Sequence, residues 1–244
     1  MDASDQRTAR LVGWLFIGTF VFSIPAVLLY GPVLDDDRYI LGGGHDRQIA
    51  FGAFLEILTV VCNIGTAVAL YRVGKRYSQT LSLAYVASRI VESTLIAAGV
   101  VSLLSVVTLR HDLASSGADA AALTVAGHTL VAFHDWTFLL GPSFCAGIGN
   151  GVLLGYLMFR SGLVPRPLAR VALVGGPLAI VAAAGVLFGV YDQDSHPQLL
   201  LTLPEIVWEA SFGIYLVVRG FKAPIASAVA RAFTVEAYAG SRAG

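Results

Sequence analysis

The sequence predicts an all-α protein, a polytopic transmembrane helix bundle with six spans and with both termini in the cytoplasm. Hydrophobic residues make up 56% of the 244 residues, whereas charged residues make up only 13%. Six apolar runs reach about the 20 residues that a helix needs to cross a bilayer. Basic residues gather in every second connection between these runs, which is the pattern of a helical membrane protein.

The first three spans are predicted at residues 11–34, 49–71 and 81–109. The first run is too long for a cleaved signal and suits a signal anchor, which Pro25 is expected to bend. The second run contains Glu56. The third holds Arg89 and Glu92 in an otherwise uncharged stretch. A charge at that depth costs several kcal/mol unless it faces protein, water or a partner.

The remaining spans are predicted at residues 136–159, 171–191 and 197–218. Residues 115–133 are ambiguous, because their alanine-rich pattern fits either a helix at the membrane surface or a direct start of span four. Span four carries Gly147, Gly151 and Gly155 at four-residue spacing, which lets a neighbouring helix approach closely. Glycine-rich faces of this kind also leave a homo-oligomer open as a partner.

The orientation follows from the unequal distribution of basic residues, because only Arg38, Arg47 and Arg110 fall on one side of the membrane. The other side has Arg7, Arg10, Arg72, Lys75, Arg76, Arg160, Arg166, Arg170, Arg219 and Lys222. The loops on the side with few basic residues are rich in aspartate. The positive-inside rule therefore places the basic side in the cytoplasm. We expect a multi-pass protein of the plasma membrane, surrounded by the lipid bilayer.

Composition excludes several classes of function and partner. The formal net charge is zero, which argues against a nucleic-acid partner. Both lysines, Lys75 and Lys222, lie outside the apolar runs, which excludes a retinal-type Schiff base within the membrane. Cys62 and Cys145 lie inside apolar runs without a CxxC pair, so we expect no disulfide framework. The length permits one six-span domain, residues 1–222, with a short cytoplasmic tail, residues 223–244.

Titratable side chains within or beside the apolar runs form the candidate site. The predicted site residues are Glu56, Arg89, Glu92, His134, Asp135 and Glu209. Glu205 lies one turn before Glu209 on the same helix face. From a rise of about 1.5 Å per residue, these side chains are expected to converge in the outer half of the bundle.

The charges of this predicted pocket do not balance, because Arg89 is one fixed positive charge against up to five carboxyl groups. Some carboxyls must therefore be protonated, be open to water, or be neutralised by a bound cation. Protonated carboxyls favour a membrane-embedded enzyme that acts on a lipophilic small molecule. Glu56, Glu92 and Glu209 would then supply acid/base chemistry, Arg89 would orient a carboxylate, and His134 would be a proton route. This enzyme is the preferred interpretation.

Three alternatives stay open. Carboxyls that are open to water favour a proton-coupled transporter or a protein that binds a small ligand. A metal or haem module would use His134 with carboxylates, but the sequence has no HExxH or Glu-x-x-His spacing. No metal ligands are predicted, and a cofactor is not identified. In the structural alternative, an ion pair between Arg89 and a carboxylate locks span three to spans two and six.

Four segments resemble a bacterial membrane family catalogued as domain of unknown function 4386. The most specific is residues 155–168, GYLMFRSGLVPRPL, with its RSGxxPR turn. The others are span two with Glu56 and its ending ALY, the Arg89-x-x-Glu92 pair, and residues 216–220, LVVRG. The resemblance covers about residues 11–221. It implies a six-span bacterial integral membrane protein and carries no established activity.

Overall fold

Within the described part of the chain, six helices of the computed structural model are long and apolar enough to cross a membrane. The structure describes residues 2–36, 39–42, 44–116 and 119–222, and no strand occurs within those ranges. The spans are Ala3–Leu29, Asp46–Gly74, Gln79–Asp112, Ala120–Ser161, Arg166–Leu187 and His196–Arg219. The predicted all-α, six-span architecture is confirmed, and the predicted tail, residues 223–244, lies outside the described residues.

Span four begins at Ala120, earlier than the sequence pattern predicts. Its first α-helix, Ala120–Phe138, runs directly into the apolar stretch, so the alternative of a separate surface helix is wrong for these residues. Span four then continues as two π-helical stretches, Leu139–Cys145 and Gly147–Leu154, and ends as the α-helix Gly155–Ser161. Pro142 has no backbone N–H, and the glycines around it weaken the preference for an α-helix.

Two short elements connect spans one and two, the α-helix Gly31–Leu34 and the 3₁₀-helix Tyr39–Leu41. Span one packs against spans two and six, while spans three and five each contact span four. The two ends of the described chain also meet, because Gln6 Nε2 donates to the Phe221 carbonyl over 2.8 Å. We call the end of the bundle where Gln6 meets Phe221 the inner end, and the opposite end the outer end. Which end faces the cytoplasm stays a prediction.

The glycines of span four allow the close approach that their spacing predicts. A Cβ built on Gly151 would lie 2.2 Å from the Gly176 Cα, and one built on Gly155 would lie 2.5 Å from the Ala172 Cβ. Gly147 likewise faces the backbone of Gly176. This face is therefore covered by span five of the same chain, and the homo-oligomer stays a prediction.

Large apolar side chains form two separate cores. The inner core includes Phe16, Leu70, Leu157, Trp208, Phe212 and Leu216, and the outer core includes Tyr30, Ile40, Ile49, Val100 and Leu103. The candidate site residues of spans two and three lie at sequence positions between these cores, and Glu209 of span six lies next to Trp208, at the edge of the inner core. We call this intermediate zone, which contains Glu56, Asn63, Arg89, Glu92, Asn150, Glu205 and Glu209, the polar layer.

Candidate functional site

Arg89 is the centre of the polar layer. Its side chain is only 2% exposed. Its Nη1 donates to Glu92 Oε2 over 2.7 Å, and its Nη2 donates to Asn63 Oδ1. Asn63 Nδ2 in turn donates to Glu92 Oε1 over 3.2 Å. This closed triangle of side chains joins span two to span three, and it gives the guanidinium both an ionic and a neutral acceptor.

Glu209 is the second carboxyl group near Arg89, and the two interact electrostatically. The Asn150 side-chain amide donates to Glu209, and Trp208 Nε1 donates to the Asn150 carbonyl over 3.0 Å. The same carbonyl accepts the N–H of Gly155, five residues along. The π-helical part of span four is thus tied to span six through one asparagine.

Glu205 lies one turn before Glu209 and is 4% exposed. Neither of its carboxyl oxygens has a hydrogen-bond partner among the residues that the structure describes. A Cβ built on Gly151 would lie 2.7 Å from Glu205 Oε2, and one built on Gly175 would lie 2.9 Å from it. The carboxyl group therefore occupies a space that exists only because both neighbours are glycines.

Tyr30, Glu56 and His134 form an outer cluster. Tyr30 Oη donates to Glu56 Oε2 over 2.9 Å. The ring of His134 meets the ring of Tyr30 edge-on, with 5.8 Å between their centroids, and His134 also interacts electrostatically with Glu56. His134 is buried, whereas the side chain of Asp135 is half exposed, with 3.4 Å between His134 Nδ1 and Asp135 Oδ1.

A stripe of buried polar residues on span two joins the two clusters. Glu56, Thr59, Asn63 and Thr66 recur at three- and four-residue spacing, so they lie along one face of the helix. Glu56 and Asn63 are about 10 Å apart along the helix axis. Of the six predicted site residues, the structure brings Arg89, Glu92 and Glu209 together in a central cluster, which also includes Asn63, Asn150 and Glu205. It places Glu56 and His134 in the outer cluster, with Asp135 beside them at the surface.

A cavity of about 320 Å³ lies at the outer end of the bundle, next to Asp135. It is bounded by the connection between spans one and two and by spans three and four. Its lining residues are Val33, Leu34, Asp36, Tyr39, Ile40, Val106, Gly127, His128, Val131, Ala132 and Asp135. Within the described ranges, no group of three or more His, Cys, Asp or Glu residues is arranged to hold a metal ion.

Asp46 organises the outer end, a role that the sequence did not predict. Its carboxylate accepts hydrogen bonds from Tyr39 over 2.6 Å, from Arg110, and from His111 Nε2 over 2.8 Å. Burial and the Asp46 carboxylate raise the pKa of Tyr39 well above its ordinary value, so its hydroxyl stays a donor. The contact holds the Tyr39–Leu41 turn, which borders the cavity, against the start of span two.

Tyr30 is the site residue that sequence reasoning missed. It follows span one directly, where an aromatic residue is an ordinary interfacial anchor. Its burial, its hydrogen bond to Glu56 on another span and its ring contact with His134 distinguish it from such an anchor. Asparagines within apolar spans, such as Asn63 and Asn150, ordinarily make interhelical hydrogen bonds. They do bridge spans, but their partners are the titratable groups of the central cluster.

Replacing Glu56 by leucine is expected to lower the free energy of unfolding by about 1–3 kcal/mol, because the buried Tyr30 hydroxyl then loses its acceptor. Glu56→Gln keeps an acceptor oxygen of the same reach and is expected to have a smaller effect. Unfolding of the purified protein in mixed micelles measures both. Equal losses in the two variants would show that the hydrogen bond to Tyr30 is not the cause.

Comparison with known proteins identifies the family of the chain. A family model described as "Domain of unknown function (DUF4386)" matches residues 11–220, which include both clusters of the polar layer. No curated protein matches the chain significantly, and no solved structure does so either. The chain therefore belongs to the DUF4386 family, and it is a multi-pass helical membrane protein.

Proposed function

We propose that this protein is a proton-coupled transporter that exchanges protons for a small monovalent cation. The observation that carries the proposal is the central cluster, in which Glu92, Glu205 and Glu209 share one guanidinium, that of Arg89. We place the protein in the plasma membrane with both termini in the cytoplasm, so that the outer end of the bundle faces away from the cell interior. Reporter fusions at the two termini test this orientation.

The charges of the central cluster support reversible protonation. Arg89 is hydrogen-bonded to Glu92, whereas Glu209 receives a neutral amide donor from Asn150. Glu205 has no hydrogen-bonded partner among the described residues, although it interacts electrostatically with Glu209. An uncompensated carboxylate is costly away from water. We infer that either Glu205 or Glu209 carries a proton when no cation is near, and that an arriving cation displaces it.

The arrangement of polar and apolar residues supports access from the outer end. The buried stripe on span two begins at Glu56 in the outer cluster and continues to Asn63 in the central one. The large apolar core beyond it closes the inner half of the bundle. Release on the inner side then requires a movement, for which we propose the π-helical part of span four, since such turns often occur where helices deform.

The test uses the full chain in liposomes that contain a pH-sensitive dye and carry a pH gradient. We expect sodium, potassium or one of a series of small alkylammonium ions to accelerate loss of the gradient. Glu205→Gln and Glu209→Gln should reduce that rate to the level of empty liposomes, whereas Asp192→Asn, at an exposed site, should not change it. Equal cation-dependent rates in the wild type and in both glutamate variants would overturn the proposal.

The outer cluster favours an enzyme as the second candidate. Asp135 lines the cavity, and its buried neighbour His134 contacts the ring of Tyr30, which donates to Glu56. In this alternative these groups transfer protons to and from a lipophilic small molecule, while Arg89 and Glu92 act from a greater distance. The central carboxyls do not line the cavity, so this candidate uses fewer of the titratable groups. Unchanged membrane lipids and isoprenoids in a deletion strain would argue against it.

A further inference from the structure

We infer that the outer cavity is a binding site for a small amphipathic ammonium ion. This inference names the class of cation that the proposed transporter exchanges for protons. It rests on the proposed function, because the bound cation is taken to be the one exchanged. The volume of about 320 Å³ is at the lower end of the range for ligand pockets, about 300–1,000 Å³. The occupant is therefore a small molecule with one short apolar group.

The apolar part of the lining comes from four elements that meet at the cavity. Val33 belongs to the short helix after span one, Ile40 to the 3₁₀-helix, and Val106 to span three. Val131 and Ala132 come from span four. A Cβ built on Gly127 would lie 2.1 Å from Ile40 Cδ1, so this glycine makes room for the isoleucine that forms one wall. These aliphatic side chains suit a hydrocarbon or aromatic body.

Asp135 supplies the charged part of the lining. It lies on the same face of span four as Val131 and Ala132, which are four and three residues before it. The side chain is half exposed, and its 3.4 Å contact with His134 Nδ1 is longer than an ordinary N–H···O bond. A carboxylate in that state can accept a charge-assisted hydrogen bond from an ammonium group.

The other titratable side chains around the cavity agree with a cationic ligand. Asp36 adds a second carboxylate to the lining, so carboxylates outnumber basic side chains among the described lining residues, of which His128 is the one basic member. Tyr39 donates its hydroxyl to Asp46 and holds Arg110 over its ring at 5.6 Å. A negative wall attracts cations and discriminates against carboxylates and phosphates of the same size.

The experiment measures binding by the full chain in nanodiscs, without transport, by calorimetry with empty nanodiscs as the blank. The probes are 2-phenylethylamine, which is cationic at neutral pH, and 2-phenylethanol, which has the same shape without the charge. We expect the amine to bind at least about tenfold more tightly, as one charge-assisted hydrogen bond would give. Equal binding of the two probes, or no binding of the amine, would overturn the inference.

Two variants and a matched control locate the site. Asp135→Asn should lower the affinity for the amine to that for the alcohol. Ala132→Trp should abolish binding of both probes, because the indole fills the cavity. Asp192→Asn removes the same charge from an exposed position in the loop between spans five and six, also at the outer end. It should leave binding unchanged. Thermal unfolding checks that Asp135→Asn is folded. An unchanged amine affinity in the folded variant would show that the amine binds elsewhere.

The two proposals fail in different ways. Amine binding that persists while no cation accelerates loss of a pH gradient would keep the site and reject proton–cation exchange. Exchange that persists in Asp135→Asn and Ala132→Trp, without amine binding to the wild type, would keep the transporter and reject the cavity as its cation site.

Discussion

Arg89→Met is expected to lower the free energy of unfolding by about 3–5 kcal/mol, the range for breaking a buried ion pair by removing one partner. The substitution leaves Glu92 with a single neutral donor, Asn63, in a site where the carboxylate is 5% exposed. It also removes the positive charge that acts on Glu209. The measurement is the unfolding of purified protein in mixed micelles, with the helical circular dichroism as the signal.

The matched variant for this prediction is Arg89→Met combined with Glu92→Gln. Because glutamine removes the uncompensated charge and still pairs with Asn63, the double variant should be more stable than Arg89→Met alone, by at least about 1 kcal/mol. Arg89→Lys should be intermediate, since one ammonium group cannot reproduce the two-pronged contact with Glu92 and Asn63. Additive losses in the double variant would show that Arg89 and Glu92 do not stabilise each other.

Gly151→Ala is expected to be the most disruptive small substitution in the bundle. The new Cβ would lie 2.2 Å from the Gly176 Cα and 2.7 Å from Glu205 Oε2. The Gly176 atom belongs to the backbone of span five, so it cannot move away without displacing that helix. Overpacking of a tight core costs about 1–3 kcal/mol, and we expect a loss at or above the upper end.

Gly65→Ala is the control for this effect. Gly65 also lies inside a span, but the atom closest to its added Cβ is Cδ1 of Leu15, at 3.1 Å, which is the far end of a flexible side chain. Alanine also favours the helix over glycine by about 0.5–1 kcal/mol. Gly65→Ala should therefore be neutral or stabilising in thermal unfolding. If Gly65→Ala lost as much stability as Gly151→Ala, the close contact with Gly176 would not be the reason that position 151 requires glycine.

Gly151→Ala is also expected to disturb the central cluster. Gly151 and Gly175 together leave the space in which the Glu205 carboxyl lies. A methyl group there would move Glu205 as well as span five, so Gly151→Ala should impair proton–cation exchange even in molecules that remain folded. Glu205→Gln removes the titratable group and keeps the volume of the side chain. Comparing its exchange rate with that of Gly151→Ala separates the loss of the protonatable group from the loss of the space around it.

Hydropathy determined the number of spans, because each span must reach across the bilayer and satisfy its own backbone hydrogen bonds. The sequence also predicted that Arg89 and several carboxyls would face the interior, since charged side chains are costly towards lipid. The beginning of span four was harder to predict. The stretch from Ala120 consists largely of small residues, whose hydropathy fits either a surface helix or a membrane span.

Only the tertiary structure decided which groups meet. The sequence placed Glu56, Arg89 and Glu209 in one predicted pocket, but Glu56 lies with Tyr30 and His134, whereas Arg89 lies with Glu92 and Asn63. The pairing depends on how far each helix is rotated about its axis and displaced along it. Those two quantities are determined by contacts between distant residues, such as the approach of Gly151 to Gly176, which a local pattern of hydropathy does not encode.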